Sequence, residues 1–199
     1  MTIAEKARAV ERLYKQLDKE IAAFQAASGM TCIAGCGHCC QTSDVSACPL
    51  EFIPLAYHAY KQGRALEWWE ALVHEPEGLC PQLRPLIGPS DLGFCGGYTH
   101  RGLICRLFGY ASLRNKYGEQ QLYTCKLLKT ERAETYQATL AKIRQGLRVP
   151  IVSDYYQRLR DIDPALAETM LPIRAAVREA LAVVLQYYAY RPRRLRKAA

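Results

Sequence analysis

The chain is organised around Cys32-Ile33-Ala34-Gly35-Cys36-Gly37-His38-Cys39-Cys40, a segment that places four thiols within nine residues. A buried cysteine behaves as a small hydrophobic side chain, so packing gives no reason to concentrate four of them on a short segment with two glycines. Cys36 and Cys39 have the spacing with which two sulfurs bind one metal ion from a turn, and Cys32 adds a third sulfur four residues earlier. The segment therefore indicates a metal site.

This segment does not complete a site by itself. Adjacent side chains point to opposite faces of an extended segment, or about 100° apart on a helix, so Cys39 and Cys40 are not expected to bind the same mononuclear ion. Further thiols must come from elsewhere in the chain. The other cysteines are Cys48, Cys80, Cys95, Cys105 and Cys125.

Length and composition indicate one domain of ordinary size. Half of the 199 residues are apolar, which is enough for a core that does not require metal to fold. The first ten residues, MTIAEKARAV, lack the pattern of a secretory signal, and no stretch of about 18 apolar residues occurs. We therefore expect a soluble cytoplasmic protein with no membrane span. In that compartment nine cysteines are ligands or redox groups rather than disulfides.

The net charge of +8 raises the question of nucleic-acid binding. Five Lys or Arg residues, however, lie in the final segment RPRRLRKAA, residues 191–199, where a frayed basic tail is the simpler interpretation. Nucleic-acid contact is therefore not expected, and an unknown protein partner stays open.

Most of the chain outside the cysteine-rich region has helical patterns. Thr2 and Glu5 form a capping box for a helix to about Ala27, with an apolar stripe that favours a long packing helix over a dimer seam. Further helices are expected over 50–61, 65–74, about 130–145, 150–159 and the end of the chain to about Tyr190, with Asp163 as an N-cap and Pro172 as a break.

The middle of the chain lacks the helical pattern of the rest. Residues 75–100 are rich in Pro and Gly, which excludes a long regular element and predicts a loop held by Cys80 and Cys95. Residues 103–110 and 121–124 are candidate short strands of one small β-hairpin.

The predicted fold is mainly α. It consists of one domain, 1–199, with a cysteine-rich, loop-rich metal-binding core at 30–126, packing helices at 1–29 and 129–190, and a basic tail at 191–199.

One block resembles a known family. The segment runs Cys95-Gly-Gly-Tyr98-Thr-His-Arg101-Gly-Leu-Ile-Cys105-Arg106-Leu-Phe108-Gly109, and with Cys80-Pro81-Gln82-Leu83 and the upstream cluster it resembles the YkgJ-like CxxCxxCC cysteine-cluster family of zinc- or iron-chelating proteins. Glu51 occupies the place of that family's Glu, and Cys125 matches a later cysteine. Two departures stand out: Cys32-x3-Cys36 replaces a two-residue gap, and Gly102 stands where the family has proline.

The resemblance implies metal or iron–sulfur binding. The other eight thiols allow either two four-thiolate sites or one site with spare cysteines, and Cys48 is the cysteine set aside. Arg101 and Arg106 flank Cys105 and are expected to offset the negative charge of a four-thiolate centre; the alternative for them is a salt bridge elsewhere, such as with Glu51. The predicted metal ligands are Cys32, Cys36, Cys39, Cys40, Cys80, Cys95, Cys105 and Cys125.

Soft thiolates select zinc, copper(I) or iron–sulfur, and spacing does not separate them. We expect an iron–sulfur cluster, [4Fe–4S], ahead of zinc, in a protein with a redox or metal-handling role. Two alternatives stay open: an enzyme related to flagellin lysine N-methylase, which is similar over the cysteine region, and a structural zinc module that binds a protein or nucleic-acid partner. Against an enzyme, the sequence contains no GxGxxG after a strand, no nucleophile elbow and no phosphate loop.

Overall fold

The computed structural model describes residues 1–32, 36–86 and 93–190, and over these residues the protein is mainly helical, as predicted. The α-helices are α1 Ile3–Ser28, α2 Ile53–Lys61, α3 Ala65–His74, α4 Leu103–Leu107, α5 Lys126–Glu131, α6 Ala133–Arg144, α7 Val152–Arg160, α8 Pro164–Ala167 and α9 Ile173–Ala189. The strands are β1 Ser46–Ala47, β2 Leu83–Pro85, β3 Gly93–Cys95, β4 Ala111–Arg114, β5 Gln120–Tyr123 and β6 Leu171–Pro172. Short 3-10 helices span His38–Cys40, Pro49–Phe52 and Tyr98–His100.

The long first helix begins and ends as its sequence predicts. The backbone N–H of Glu5 donates to Thr2 Oγ1 at 3.2 Å, and the N–H of Thr2 donates back to Glu5 Oε2 at 2.7 Å, so the capping box is formed. Gly29 ends α1 with a φ of 77°, which glycine adopts at little cost. The predicted apolar stripe is buried within the chain: Ile3, Ala7, Val10, Tyr14, Leu17, Ile21 and Phe24.

The main core lies between α1, α2 and α9. Helix α2 packs against both of the longer helices, and α3 packs against α9. Helix α9 buries one face toward this core, consisting of Ile173, Ala176, Val177, Ala180, Leu181 and Val184. A second, smaller cluster connects the end of α1 to the β4–β5 region and to α5 and α6, through Phe24, Met30, Leu122, Leu128, Ile143 and Val149.

The predicted strand over residues 103–110 is wrong, because α4 occupies Leu103–Leu107. Its first turn is held by a long-range hydrogen bond, in which the backbone N–H of Ile104 donates to Glu51 Oε2 at 2.8 Å. The small hairpin exists one element later, between β4 and β5, with Ala111 opposite Tyr123. The apolar run at 103–108 is too short for periodicity to separate a buried strand from a buried helical turn.

The start of α2, the cap of α8 and the Pro- and Gly-rich region agree with the sequence pattern more closely than α4 does. Pro54 lies in the first turn of α2, because the preceding residues Pro49–Phe52 form a separate 3-10 helix. Asp163 caps α8 by accepting a hydrogen bond from Leu166 N, as predicted. The Pro- and Gly-rich region contains no long element within its described part; it forms the β2–β3 hairpin, with Leu83 opposite Cys95.

Some predictions fall on residues that the structure does not describe. The basic tail, 191–199, lies outside the described residues, as do 33–35 within the cysteine segment and 87–92 in the Pro- and Gly-rich region. The division into a core at 30–126 and packing helices at 1–29 and 129–190 stays a prediction. In the part of the chain that is described, no helix has both the length and the apolar character needed to cross a bilayer.

Candidate metal centre

A cavity of about 530 Å³ lies beside the end of α1, and eight cysteines line its wall. They come from five separate stretches of the chain: the 32–40 segment, the turn before β2, β3, α4 and the N-terminal cap of α5. These eight are the residues that were predicted as metal ligands: Cys32, Cys36, Cys39, Cys40, Cys80, Cys95, Cys105 and Cys125. All nine cysteines of the chain lie within the described residues, and none is joined to another by a disulfide.

Cys48, the predicted spare, lies elsewhere. It is fully buried in the main core, at the start of the 3-10 helix Pro49–Phe52, and its backbone N–H donates to Glu51 Oε1 at 2.9 Å. Burial, together with the nearby Glu51 carboxyl, raises the pKa of the Cys48 thiol to about 12. A thiol in such surroundings behaves as a small apolar side chain.

Gly37 allows the cysteine segment to approach β3. Its φ is 55°, and a Cβ at this position would lie 2.2 Å from the carbonyl oxygen of Gly93, a distance that real side chains do not reach. The backbone at Gly37 therefore packs directly on β3, the strand that carries Cys95. Glycine at position 37 provides both the left-handed backbone and the space for this contact.

Glu51 positions the helix that carries Cys105. Its fully buried carboxyl accepts hydrogen bonds from Cys48 N at 2.9 Å, from Ile104 N at 2.8 Å and from the Tyr156 hydroxyl at 3.0 Å. The Tyr14 hydroxyl donates to the backbone oxygen of Glu51 at 2.9 Å. Burial raises the pKa of Glu51 to about 7, against the hydrogen bonds that lower it.

Gly102, which precedes α4, is closely covered by Phe52 and Glu51. A Cβ on Gly102 would lie 2.8 Å from Phe52 Cζ and 3.0 Å from Glu51 Oε2. Proline, which the YkgJ-like family has at this place, would require these neighbours to move. Glycine at position 102 therefore has a local packing reason in this chain.

Three of the thiols, those of Cys39, Cys40 and Cys80, affect one another's pKa. Interaction with Cys40 lowers the pKa of the Cys39 thiol and of the Cys80 thiol to about 7, and the same interactions raise the pKa of Cys40. Arg101 also lowers the pKa of Cys39, to a smaller extent. Burial raises the pKa of Cys95 and Cys105. Thiols of this kind ionise most readily when a cation arrives to take up their charge.

Cys125 and Cys32 are held in place by contacts of the backbone. Cys125 is the N-cap of α5, and its Sγ accepts a hydrogen bond from Leu128 N at 3.4 Å. The backbone N–H of Cys32 donates to the Tyr110 hydroxyl at 2.9 Å. Cys125 is thus fixed within the cap of α5, and Cys32 is tied to Tyr110, the residue that precedes β4.

The two predicted cofactor-binding arginines have different positions. Arg101 lines the cavity, with its guanidinium 3.9 Å from the centre of the Tyr98 ring and 4.0 Å from Asp18 Oδ1. Arg106 does not line it: its Nη1 donates to both oxygens of Asp18, at 2.7 and 2.5 Å, and it also donates to the backbone oxygens of Thr99 and Arg101. The salt-bridge partner of Arg106 is Asp18, not Glu51.

Several residues on the wall were not anticipated from the sequence. His100 lines the cavity, and its ring stands 4.5 Å from the ring of His58 on α2. Burial and the neighbouring His58 lower the pKa of His100. Aromatic side chains cover much of the remaining wall; they are Phe52, Phe94, Tyr98, Phe108 and Tyr110. Of these, Tyr98 and Phe108 were expected as core or site-covering aromatics, whereas Phe52, Phe94 and Tyr110 lie outside the Cys95–Gly109 block and had no signal in the sequence.

The donors surround the cavity without meeting at one point. Across 1–32, 36–86 and 93–190, no group of three or more His, Cys, Asp or Glu side chains is arranged to hold a single metal ion. The chemistry of the donor set nevertheless fits a thiolate-bound centre, since the wall presents eight sulfurs and a cation, Arg101. Metal binding by these residues stays a prediction.

Comparison of the chain with protein-family models, with curated proteins and with solved structures finds no match. The resemblance to the YkgJ-like family therefore depends on the spacing of the residues alone, and the function must be argued from the site.

Proposed function

We propose that this protein binds an inorganic centre through cysteine thiolates, a [4Fe–4S] cluster ahead of zinc, and serves a redox or metal-handling role. One observation carries the proposal: eight of the nine cysteines, from five stretches of the chain, line one cavity, while the ninth is buried against Glu51. Cysteines used only as small apolar side chains have no reason to assemble around one space.

The choice of centre follows from the donors. Thiolates are soft ligands that select zinc, copper(I) and iron–sulfur clusters over magnesium or calcium. The spacing of the Cys95–Gly109 block, which resembles the YkgJ-like zinc- or iron-chelating family, points the same way. Thiols can bind a metal only while they are reduced, so we place the protein in the cytoplasm, which is a reducing compartment.

The number of sulfurs favours a cluster over a single ion. A mononuclear zinc site needs four sulfurs at about 2.3 Å from one point. In a [4Fe–4S] cluster each thiolate binds a different iron. Eight sulfurs around one cavity of about 530 Å³ are twice the number that one zinc ion binds, and this surplus, with the resemblance, is the ground for placing the cluster ahead of zinc.

The remaining wall suits a negatively charged centre. A four-thiolate centre carries negative charge that is costly to bury without a cation or hydrogen-bond donors. Arg101 provides that cation and is held against Tyr98. When bound, an iron–sulfur cluster supplies one-electron redox chemistry, and the protein residues set its ligation, charge and exposure.

The test is anaerobic purification of the full chain, followed by analysis of iron, zinc and acid-labile sulfide. We expect brown protein with sulfide in proportion to iron. Colourless protein with stoichiometric zinc would exclude the cluster and leave the zinc form of the proposal. Protein that takes up neither metal after reconstitution would contradict the proposal altogether.

Two serine variants give a matched comparison. Cys105→Ser removes a thiol from the cavity wall and should lower metal content, whereas Cys48→Ser alters a buried thiol outside the wall and should keep it. Folding of both variants is checked by circular dichroism. Loss of metal in Cys48→Ser at unchanged fold would show that the wrong thiol was set aside.

A further inference from the structure

We propose that a second cavity, lined by α3, the β2 region and α9, binds a small carboxylic acid that carries an apolar group. The cavity has a volume of about 210 Å³. Of the described residues that line it, none is a cysteine, so the proposal does not rest on the proposed function. The lining residues are Trp68, Ala71, Leu72, Pro81, Gln82, Arg84, Arg174 and Val177.

Two arginine side chains give the wall of this cavity its positive charge. The Nε of Arg174 donates to the backbone oxygen of Glu75 at 2.7 Å, and its Nη1 donates to the backbone oxygen of Leu79 at 3.3 Å. The Nη1 of Arg84 donates to two nearby backbone oxygens, each at 3.0 Å. Backbone oxygens hold a guanidinium in position but leave its charge in place.

The charge of the two arginines is only weakly compensated. The carboxylate of Glu75 lies 3.5 Å from Arg174 Nη2, but the Glu75 side chain is 82% exposed, and an exposed ion pair of this kind is weak. Among the described residues no carboxylate forms an ion pair with Arg84. Because the donors of a guanidinium lie in a plane that matches the two oxygens of a carboxylate, these arginines suit a carboxylate ligand.

Gln82 adds a buried amide that lacks a partner. The residue is 7% exposed, and within the part of the chain that the structure describes no group forms a hydrogen bond with its side-chain amide. Buried amides are normally hydrogen-bonded, because leaving one unpaired is costly. Since Gln82 lines the small cavity as well as the cysteine-lined one, its NH2 is available to donate to a carboxylate bound there.

Gly96 and Gly97, which follow β3, leave the space that these polar side chains occupy. A Cβ on Gly97 would lie 2.6 Å from Gln82 Oε1, and a Cβ on Gly96 would lie 2.9 Å from Arg84 Cγ. Both distances are shorter than real Cβ contacts. The glycine pair of the Cys95–Gly109 block therefore allows Gln82 and Arg84 to pack against the turn after β3.

The rest of the wall suits an apolar group. It consists mainly of the indole of Trp68 and the side chains of Leu72 and Val177. A cavity of about 150 Å³ is large enough to hold benzene. The volume of about 210 Å³ therefore has room for one such ring together with its carboxylate. Apolar walls with a few placed polar groups are typical of small-molecule sites, and an inorganic anion would leave the apolar part unfilled.

The test is a titration of the isotope-labelled full chain with sodium benzoate, followed by NMR spectroscopy. The chain has two tryptophans, both in described segments, and of these Trp68 lines the cavity whereas Trp69 does not. The variant Trp69→Phe therefore leaves a single indole N–H signal. We expect that signal to shift saturably, with a dissociation constant of about 1 mM or tighter. Benzamide, which has the same ring without the charge, and inorganic phosphate should each bind at least about tenfold more weakly.

Substitutions in the same background show which groups bind the probe. Arg84→Gln and Gln82→Leu should each weaken benzoate binding, whereas Arg178→Gln, one turn after Arg174 on α9 and outside the cavity, should leave it unchanged. Circular dichroism checks folding; Gln82→Leu should fold normally, because it removes an amide without a described partner. Equal affinity for benzoate and benzamide, tighter binding of phosphate, no saturable shift, or unchanged affinity in Arg84→Gln or Gln82→Leu would overturn the inference.

Discussion

The carboxyl of Glu51 accepts a hydrogen bond of 2.8 Å from the backbone N–H of Ile104, the residue that precedes the cavity-lining Cys105. The same carboxyl accepts from Cys48 N and from the Tyr156 hydroxyl. One buried side chain therefore fixes the start of α4 against the segment that follows the cysteine cluster. The position of Cys105 at the cavity depends on this contact.

Replacing Glu51 with glutamine should destabilise the protein. The amide NH2 cannot accept a hydrogen bond, so at least one buried donor loses its partner, at a cost of about 1–3 kcal/mol in the free energy of unfolding. The measurement is urea unfolding followed by circular dichroism at pH 5. Glu70→Gln, at an exposed position on α3, is the control and should change stability by less than about 0.5 kcal/mol. Equal unfolding midpoints for the two variants would contradict a structural role for Glu51.

The buried Glu51 carboxyl should also make stability depend on pH. Burial raises its pKa in the folded protein from 4.5 to about 7, so between these values unfolding releases a proton. Its contribution to stability is fully present below about pH 4.5 and is lost as the pH rises through about 7, by up to about 1.4 kcal/mol per pH unit. Urea unfolding of the unaltered chain and of Glu51→Gln at pH 5 and at pH 8 tests this. The destabilisation caused by the substitution should be smaller at pH 8, and an equal difference at both pH values would refute the assignment.

The two arginines of the Cys95–Gly109 block should respond differently to substitution. Arg106→Lys loses the guanidinium, whose Nη1 donates to both carboxylate oxygens of Asp18 and whose Nε and Nη2 donate to backbone oxygens. The substitution should lower the free energy of unfolding by about 1–3 kcal/mol. Arg101→Gln, at the cavity wall, should change stability by less than about 1 kcal/mol.

Metal affinity distinguishes the arginines further. Arg101→Gln removes the cation that faces the thiols and should weaken zinc binding about tenfold, measured by competition with a chromophoric chelator. Arg106→Lys, assayed at a temperature where it is folded, should bind zinc with nearly unchanged affinity. The reverse order of affinities would mean that Arg106, not Arg101, offsets the charge of the centre.

Substitution of Gly37 should disturb both the fold and the centre. Alanine at this position meets the carbonyl oxygen of Gly93 at 2.2 Å and must also adopt a left-handed backbone, so the cysteine segment has to move away from β3. Gly118→Ala is the matched control: its φ is 80°, but nothing lies within 4 Å of the added Cβ. We expect Gly118→Ala to cost about 1–2 kcal/mol in stability and to keep metal binding. Gly37→Ala should cost more and bind less metal; equal behaviour of the two variants would show that the close approach to Gly93 is unimportant.

The helices were largely predictable because their signals are local. The capping box of Thr2 and Glu5, the stripe along α1 and the cap at Asp163 each depend on residues within one or two turns, and all three are present in the structure. The strand predicted at 103–110 was wrong for the opposite reason. Helix α4 is supported there by Glu51, a partner more than 50 positions away in the sequence. The apolar pattern of a few residues gives no information about such a distant partner.

The sequence by itself determined a mainly helical chain and an inventory of thiols whose local spacing is typical of metal ligands. Only the tertiary structure decided which thiols face one space and which arginine faces it with them. Arg101 and Arg106 both flank Cys105 in the sequence, yet only Arg101 lines the cavity, while Arg106 is held by hydrogen bonds to Asp18, 88 positions earlier, and to the backbone oxygens of Thr99 and Arg101. Convergence of this kind depends on contacts such as Gly37 with Gly93 and Glu51 with Ile104, which form only when distant segments pack together.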